Sequence, residues 1–373
     1  MRIVNVTVFL LVSLAIPMGL VSGQTSAVRG QMVLDVGQQS WEVKYVRRPC
    51  AVYDGSTFMM WYAGTDKSAA PGIDNIGLAT STDGVSWIRH QGSPVLKVGA
   101  PGTWDSQSVN TPWVIREGNE YKMWYTGRRV GQYDFPQAIG YATSPDGVNW
   151  TKYSGNPVLT KGSAGAFDDD WVYLPVVISS VTGYTMHYTG ASSSSGTQGI
   201  GIATSTDGIH WTKKGNITIP SSHWDSQGRG SRFSSIIKLG ETFAASYDGL
   251  SQNPYNPSTT STIDQIGFAT STDGTNWTPY PGNPVITYGT SNSWDDRGVF
   301  FPYILAVGSQ YYVYYSGANQ ETQKVTIGLA MLSASQYAIP EFASVQLLLS
   351  AVILAAIFTL RPSRKSLAST IAV

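Results

Sequence analysis

The sequence predicts an all-β fold: a five-bladed β-propeller of four-stranded blades, closed by an N-terminal strand and followed by one C-terminal transmembrane helix. Three observations predict it. A block of about sixty residues occurs five times in succession, each block reads as four short strands, and the strand missing from the last block reappears at the start of the chain.

Residues 1–23 carry one basic residue, an apolar stretch and small residues at Val21, Ser22 and Gly23. This is the pattern of a signal peptide cut near Gly23, which predicts export. The propeller is expected over residues 28–335. The motif I-G-x-A-T-S-x-D-G-x-x-W occupies Ile76 to Trp87, Ile139 to Trp150, Ile200 to Trp211 and Ile266 to Trp277, and a truncated copy starts at Ile327. Before each copy lies an aromatic-Tyr-x-Gly motif, at Trp61, Trp124, His187, Ser246 (degenerate) and Tyr314. A third motif, W-D-(x)6-P, runs from Trp41 to Pro49, Trp104 to Pro112, Phe167 to Pro175, Trp224 to Arg232 and Trp294 to Pro302, its starts 63, 63, 57 and 70 residues apart.

Within the second unit the runs Val109 to Ile115, Tyr121 to Tyr125, Ile139 to Thr143 and Trp150 to Tyr153 predict the four strands. The Asp-Gly pair supplies a tight turn, and the Trp after it starts the outermost strand. The fifth unit lacks that strand. Met32 to Gly37 before Trp41 parallels Pro94 to Gly99 before Trp104, so the N-terminal segment is expected to pair into the last blade and remove an open sheet edge.

After a linker, 336–341, the uncharged stretch 342–360 is long enough, at about 1.5 Å per helical residue, to nearly span a hydrocarbon core about 30 Å thick. The tail 361–373 carries Arg361, Arg364 and Lys365, which places it on the cytoplasmic side and the propeller outside. Pro340-Glu341-Phe342, the apolar stretch and the basic tail together resemble the PEF-type C-terminal sorting signals of archaeal surface proteins. That resemblance implies removal of the helix and attachment to lipid. The membrane is thus an expected partner, through the helix or through lipid, with the body at the cell surface.

Twenty-four basic side chains balance twenty-four acidic ones, so no overall field favours nucleic acid. The single cysteine, Cys50, excludes an internal disulfide and reads as a core residue. Asn149, Asn216 and Asn276 each start an N-x-Thr sequon, suited to an external surface. The four histidines are scattered singly, and no phosphate-binding glycine loop is present. The run Asp168 to Asp170 offers weak grounds for a structural calcium, since three consecutive strand residues do not converge on one ion. No metal is expected.

A functional centre must break the five-fold repetition. Glu42, Asp105, Asp168, Asp225 and Asp295 recur in every unit and read chiefly as structural. The symmetry-breaking polar residues near the inner strands are Lys44, Arg47 and Arg48; Asn110; Asp169, Asp170 and Tyr173; Arg229 and Arg232; and Asp296 and Arg297. Either they form a polar pocket, with Asp170, Arg47 and Arg232 meeting at one channel mouth, or they are solvated ends and ion pairs of ordinary blades.

The repeats WDSQSVNTPWV, YKMWYTG and IGYATSPDGVNW resemble those of the five-bladed glycoside-hydrolase propellers, the superfamily of arabinanases, xylosidases, fructosidases and mannoside phosphorylases. The resemblance implies a carbohydrate substrate, two or three carboxylates flanking a glycosidic bond, and no redox cofactor. This chain departs from it: no carboxylate occupies the two positions before any of the five aligned inner-strand sites. The expected catalytic candidates are therefore Asp170 and Asp169, with Glu42 and Asp105 from earlier in the strand. Arg47, Asn110, Tyr173, Arg229, Arg232 and Arg297 are expected to bind substrate. The leading reading is extracellular hydrolysis or phosphorolysis of carbohydrate by a monomer, and its alternative is a non-catalytic glycan-binding or cell-envelope module on the same fold.

Overall fold

The computed structural model describes residues 27–333 apart from 67–71, 130–136, 194–195, 221–223, 226–231 and 253–261. The leader, the linker, the apolar stretch 342–360, the basic tail and Arg229 lie outside the described residues. Among those described, no helix is long and apolar enough to cross a membrane, and one 3-10 turn, Ser40–Glu42, is the helical element.

The chain opens with β1 (Gln31–Leu34). The first unit holds β2 (Tyr45–Tyr53), β3 (Phe58–Thr65), β4 (Asp74–Ser81) and β5 (Ile88–Arg89); the second β6 (Ser108–Glu117), β7 (Glu120–Arg128), β8 (Ala138–Ser144) and β9 (Thr151–Lys152). The third holds β10 (Trp171–Ser180), β11 (Gly183–Ser192), β12 (Thr197–Ser205) and β13 (Thr212–Ile217), and the fourth β14 (Arg232–Leu239), β15 (Thr242–Gln252), β16 (Thr262–Ser271) and β17 (Thr278–Pro279). The fifth contributes β18 (Gly298–Val307), β19 (Gln310–Ala318) and β20 (Val325–Ser333), and β1 pairs antiparallel with β20, Gln31 opposite Leu329 and Met32 opposite Gly328.

Consecutive strands within each unit pair antiparallel, and each inner strand lies against the next, from β2 through β6, β10 and β14 to β18, which lies against β2. The fold is thus propeller-like. Five separate sheets were to be expected, but hydrogen bonding joins the fifth, first and second units into one twelve-stranded sheet through single parallel bridges, Tyr45 to Val325 and Asp74 to Ser108. Each bridge ties the start of an inner strand, β2 or β6, to the start of the third strand of the preceding unit, β20 or β4. Outermost strands are also shorter than the sequence suggests, two residues each in β5, β9 and β17.

The repeated motifs build each unit in the same way. The ring of Trp41 lies over Gly64 and Gly77, where an added Cβ would collide with it, so both motif glycines are required for contact rather than for φ. Trp41 also stacks on Tyr62 at 5.9 Å. Glu42, buried beside them, accepts from the Tyr62 hydroxyl at 2.8 Å and faces Arg89 of the outermost strand. Asp105 with Tyr125 and Lys152, and Asp168 with Tyr188 and Lys213, repeat the arrangement. The first residue of the aromatic-Tyr-x-Gly motif then reaches the next unit: Trp61 donates to the Gly147 carbonyl, Trp124 to Gly208 and His187 to Gly274. Cys50 is fully buried and receives the Val114 N–H at 3.2 Å on its sulfur, and burial pushes its thiol up to about 12, the state of an inert core residue.

Candidate functional site

All five inner strands are irregular at one level. In β2, β6, β10 and β18 the register shifts around the proline, and the residue before it, Arg48, Thr111, Leu174 or Phe301, has a positive φ of 59, 47, 56 or 52°. Non-glycine residues avoid this region, so four such residues at one level are over-determined by their surroundings. Together with the prolines they line a small space of about 10 Å³ where the inner strands meet.

In the fourth unit the strand pairing corrects the sequence alignment. Arg232 lies opposite Asp248, as Arg47 lies opposite Ala63, Asn110 opposite Thr126, Tyr173 opposite Thr189 and Phe300 opposite Ser316. Arg232 is therefore the counterpart of Arg47, and Ser234, not Arg232, stands at the proline level, where it lines the narrow channel. The segment before it is two residues longer than in the other units, which displaced the motif count.

Arg47, Asn110, Tyr173, Arg232 and Phe300 thus form one layer above the constriction. Arg47 donates to Asp74 at 3.2 Å, and Asp74 also accepts from Thr65 at 2.5 Å, Ser108 at 2.9 Å and Asn110 at 2.9 Å. Burial works against its charge, yet Arg47, Arg48, Thr65 and Asn110 outweigh burial and hold its carboxyl down to about 2. Arg232 bonds Asp248, which also accepts from Ser234 at 3.1 Å. Burial opposes the Arg232 charge, but Asp248 and Tyr173 raise its pKa further above the usual guanidinium value.

Asp264 stands two residues before Ile266-Gly267, as Asp74 does before Ile76-Gly77, but its surroundings are the reverse. Arg232 approaches its Oδ1 only to 3.8 Å while bound to Asp248, and that buried oxygen has no hydrogen-bond partner among the described residues. Burial, with the negative charge of Asp248 added, pushes the Asp264 carboxyl up to about 7 against the pull of Arg232. Its side chain keeps 29% exposure, towards a cavity of about 830 Å³ that Arg47, Asp296, Arg297 and Phe300 also line. Gly298, at φ 138°, brings β18 against the backbone of Asp264; an added Cβ would lie 3.3 Å from its nitrogen.

The structure brings Arg47, Asn110, Tyr173 and Arg232 to one layer and Arg297 to the cavity rim, where it donates to Gln323 at 2.6 Å. It does not bring Asp170 to them. Asp170 accepts from the N–H and hydroxyl of Ser193 on an exposed turn, three residues before Tyr173 and so roughly 10 Å along the strand. Asp169 Oδ2 accepts from Gly165 N–H at 2.8 Å, and Asp296 is held by Asn292 and Gln320 N–H groups. Glu42 and Asp105 sit in the tyrosine and cation clusters described above. No group of three or more metal-binding side chains occurs among the described residues.

Sequence reasoning passed over Asp74, Asp248 and Asp264. A signal existed in the other two motifs: the position before the glycine of Tyr-x-Gly reads Ala63, Thr126, Thr189, Asp248 and Ser316, and the position two before Ile-Gly reads Asp74, Gln137, Gln198, Asp264 and Val325.

The fold is that of the propeller-like glycoside hydrolases. Residues 182–330 match the Glycosyl hydrolases family 32 N-terminal domain. A β-1,2-mannobiose phosphorylase from Listeria innocua, solved with β-1,2-mannobiose, superposes with a TM-score of 0.61 at 13% identity over 82% of this chain and 95% of its own. A glycosyl hydrolase from Bacteroides ovatus gives 0.59 at 18% identity over 81% and 94%. Uncharacterized proteins from two strains of Mycobacterium tuberculosis are 31% identical over 179 residues, which is 46% of this chain; the match spans 56% of their length.

Proposed function

We propose that this protein cleaves glycosidic bonds in carbohydrate with Asp264 as proton donor. The observation that carries the proposal is the divergence of two carboxyls at the same repeat position: the arginines and hydrogen bonds around Asp74 hold it down to about 2, while burial beside Asp248 pushes Asp264 up to about 7. Two acids driven apart by their environments are what acid-assisted bond cleavage needs. Asp264 would protonate the leaving glycosidic oxygen as the bond to the anomeric carbon breaks, and water or phosphate would add to that carbon. The glycoside-hydrolase fold supports this reading, as does the cavity that Asp264 faces.

One observation favours the alternative of glycan binding without cleavage. Asp74 and Asp248 are both engaged by guanidiniums, which leaves Asp264 as the uncommitted acid of the layer. A screen of oligosaccharides for hydrolysis, with and without phosphate, alongside a glycan array, separates the two. Turnover abolished by Asp264→Asn supports catalysis. Turnover lost instead in Asp169→Asn or Asp170→Asn would return the role to those residues, and binding with no turnover would establish the alternative.

We also propose that the body is exported and held at the cell surface, on the support of the leader, the apolar stretch 342–360 and the basic tail. Protease added to intact cells should then digest it. Complete protection, with the protein recovered from the cytoplasm, would overturn this.

A further inference from the structure

Among the described residues, Arg48 is a guanidinium of the inner strands with no carboxylate partner. Arg47 is paired with Asp74 and Arg232 with Asp248, whereas Arg48 forms no ion pair among the described residues. Its backbone N–H donates to Ser316 Oγ at 3.0 Å, its guanidinium lies 4.6 Å from the centre of the Phe301 ring, and its buried Nε has no hydrogen-bond partner among the described residues. Arg232 approaches the same ring at 5.4 Å. Two cations therefore share one aromatic ring at the narrowest level of the channel, one neutralised and one not.

A guanidinium offers five N–H donors in a planar fork, and leaving them unmatched where protein closes around them is costly. Burial and the neighbouring Arg47 press the Arg48 pKa down to about 9, so its surroundings resist the charge that it still carries at neutral pH. Asp74 and Asp248 are each bonded to another arginine, and neither forms an ion pair with Arg48. Arg48 lines the narrow channel, and Arg47, the residue before it, lines the cavity that Asp264 faces.

We propose that Arg48 receives the carboxylate of an acidic sugar, so that the substrate is a uronate-containing glycan bound with its charged ring at the axis. This rests on the carbohydrate reading above and adds the substrate class. A carboxylate matches the guanidinium fork with two parallel hydrogen bonds and supplies the counter-charge that Arg48 lacks among the described residues. A neutral sugar hydroxyl supplies neither.

The test uses the full chain with oligogalacturonates and oligoglucuronates, and with the same oligosaccharides after reduction of their carboxyls to alcohols. The expected result is binding of a uronate set weakened at least tenfold by carboxyl reduction, and weakened further in Arg48→Gln than in Arg48→Lys. The reduction arm uses the wild-type protein, so it decides even if a variant does not fold. Equal binding of charged and reduced glycans would overturn the acidic-sugar inference and leave the carbohydrate reading standing. Binding of inorganic phosphate at Arg48, with phosphate-dependent turnover of neutral glycans, would also overturn it. No binding of any glycan would sink both.

Discussion

The hydroxyl of Tyr314 donates a 2.8 Å hydrogen bond to the carbonyl of Gly84, which joins the fifth unit to the first across 230 residues. It continues the series in which Trp61, Trp124 and His187 each reach the Asp-Gly turn of the following unit. The fourth unit breaks the series with Ser246, whose hydroxyl faces the Pro302 carbonyl at 3.2 Å. The reason lies in the next unit, which has no Asp-Gly turn to receive a longer donor. Tyr314→Phe should cost about 1 kcal/mol in equilibrium unfolding, the worth of a buried neutral hydrogen bond. Ser246→Trp, which restores the motif, should destabilise by about 1–3 kcal/mol, because a large side chain enters a packed site without its acceptor.

Asp264→Asn should abolish turnover and stabilise the protein at alkaline pH. The folded carboxyl ionises near 7 and the unfolded one near the usual aspartate value, so the folded state holds a proton that the unfolded state has released. Wild-type stability relative to the variant should therefore fall as pH rises through that window. The variant should lead by roughly 4 kcal/mol at pH 8, with almost no lead at pH 4, in denaturant titrations at the two pH values. Wild-type activity should decline as pH rises through 7, since the proton to be donated is lost.

Asp168→Asn and Asp170→Asn are adjacent in kind but should differ in effect. Asp168 is buried and accepts from Tyr188 at 2.9 Å and Lys213 at 2.6 Å, so its replacement strands a cation and should cost about 1–3 kcal/mol. Asp170 holds Ser193 on an exposed turn, and its replacement should move stability by less than about 0.5 kcal/mol. Thermal melts of the two variants check this, and the reverse order would show that scaffold and surface have been confused.

Deleting residues 28–36 removes β1 and exposes the edge of β20. It also removes the hydrogen bond from Gly30 N–H to the Tyr315 hydroxyl at 3.1 Å and the bridge from Val28 to Ile286. The product should melt lower and aggregate, as an uncovered strand edge does. Light scattering during a thermal ramp reads both, and an unchanged melt would show that β1 contributes little.

The repeat was legible because its residues meet one another. Trp41 needs Gly64 and Gly77 beneath it, and Glu42 needs Tyr62, so each unit must keep the whole set in order. The site was only partly legible, because a channel gathers one residue from each unit and no local spacing records that meeting. Arg47, Asn110, Tyr173 and Arg232 could be named from the inner-strand motif. Asp264 could not, since its character comes from the nearby Asp248 and from an Arg232 turned to that other carboxylate, both visible only once β15 and β16 pair beneath β14. Asp170, conspicuous in its acidic run, is satisfied by a serine across a turn.

The turn absent from the fifth unit has an effect at the opposite end of the same boundary. Thr262, Ile263 and Asp264 of the fourth unit and Arg297, Phe300 and Ala318 of the fifth form opposite walls of the 830 Å³ cavity. The joint where Ser246 replaces the long donor thus borders the cavity, whose lining also reaches Tyr45 and Arg47 of the first unit. The other neighbours are riveted at their rims, while this pair is fastened near the axis, through Ile304 N–H on Ser235 and Ser246 on Pro302. Among the described residues this boundary is thus joined through its inner strands, and Asp264 stands on the wall beside it.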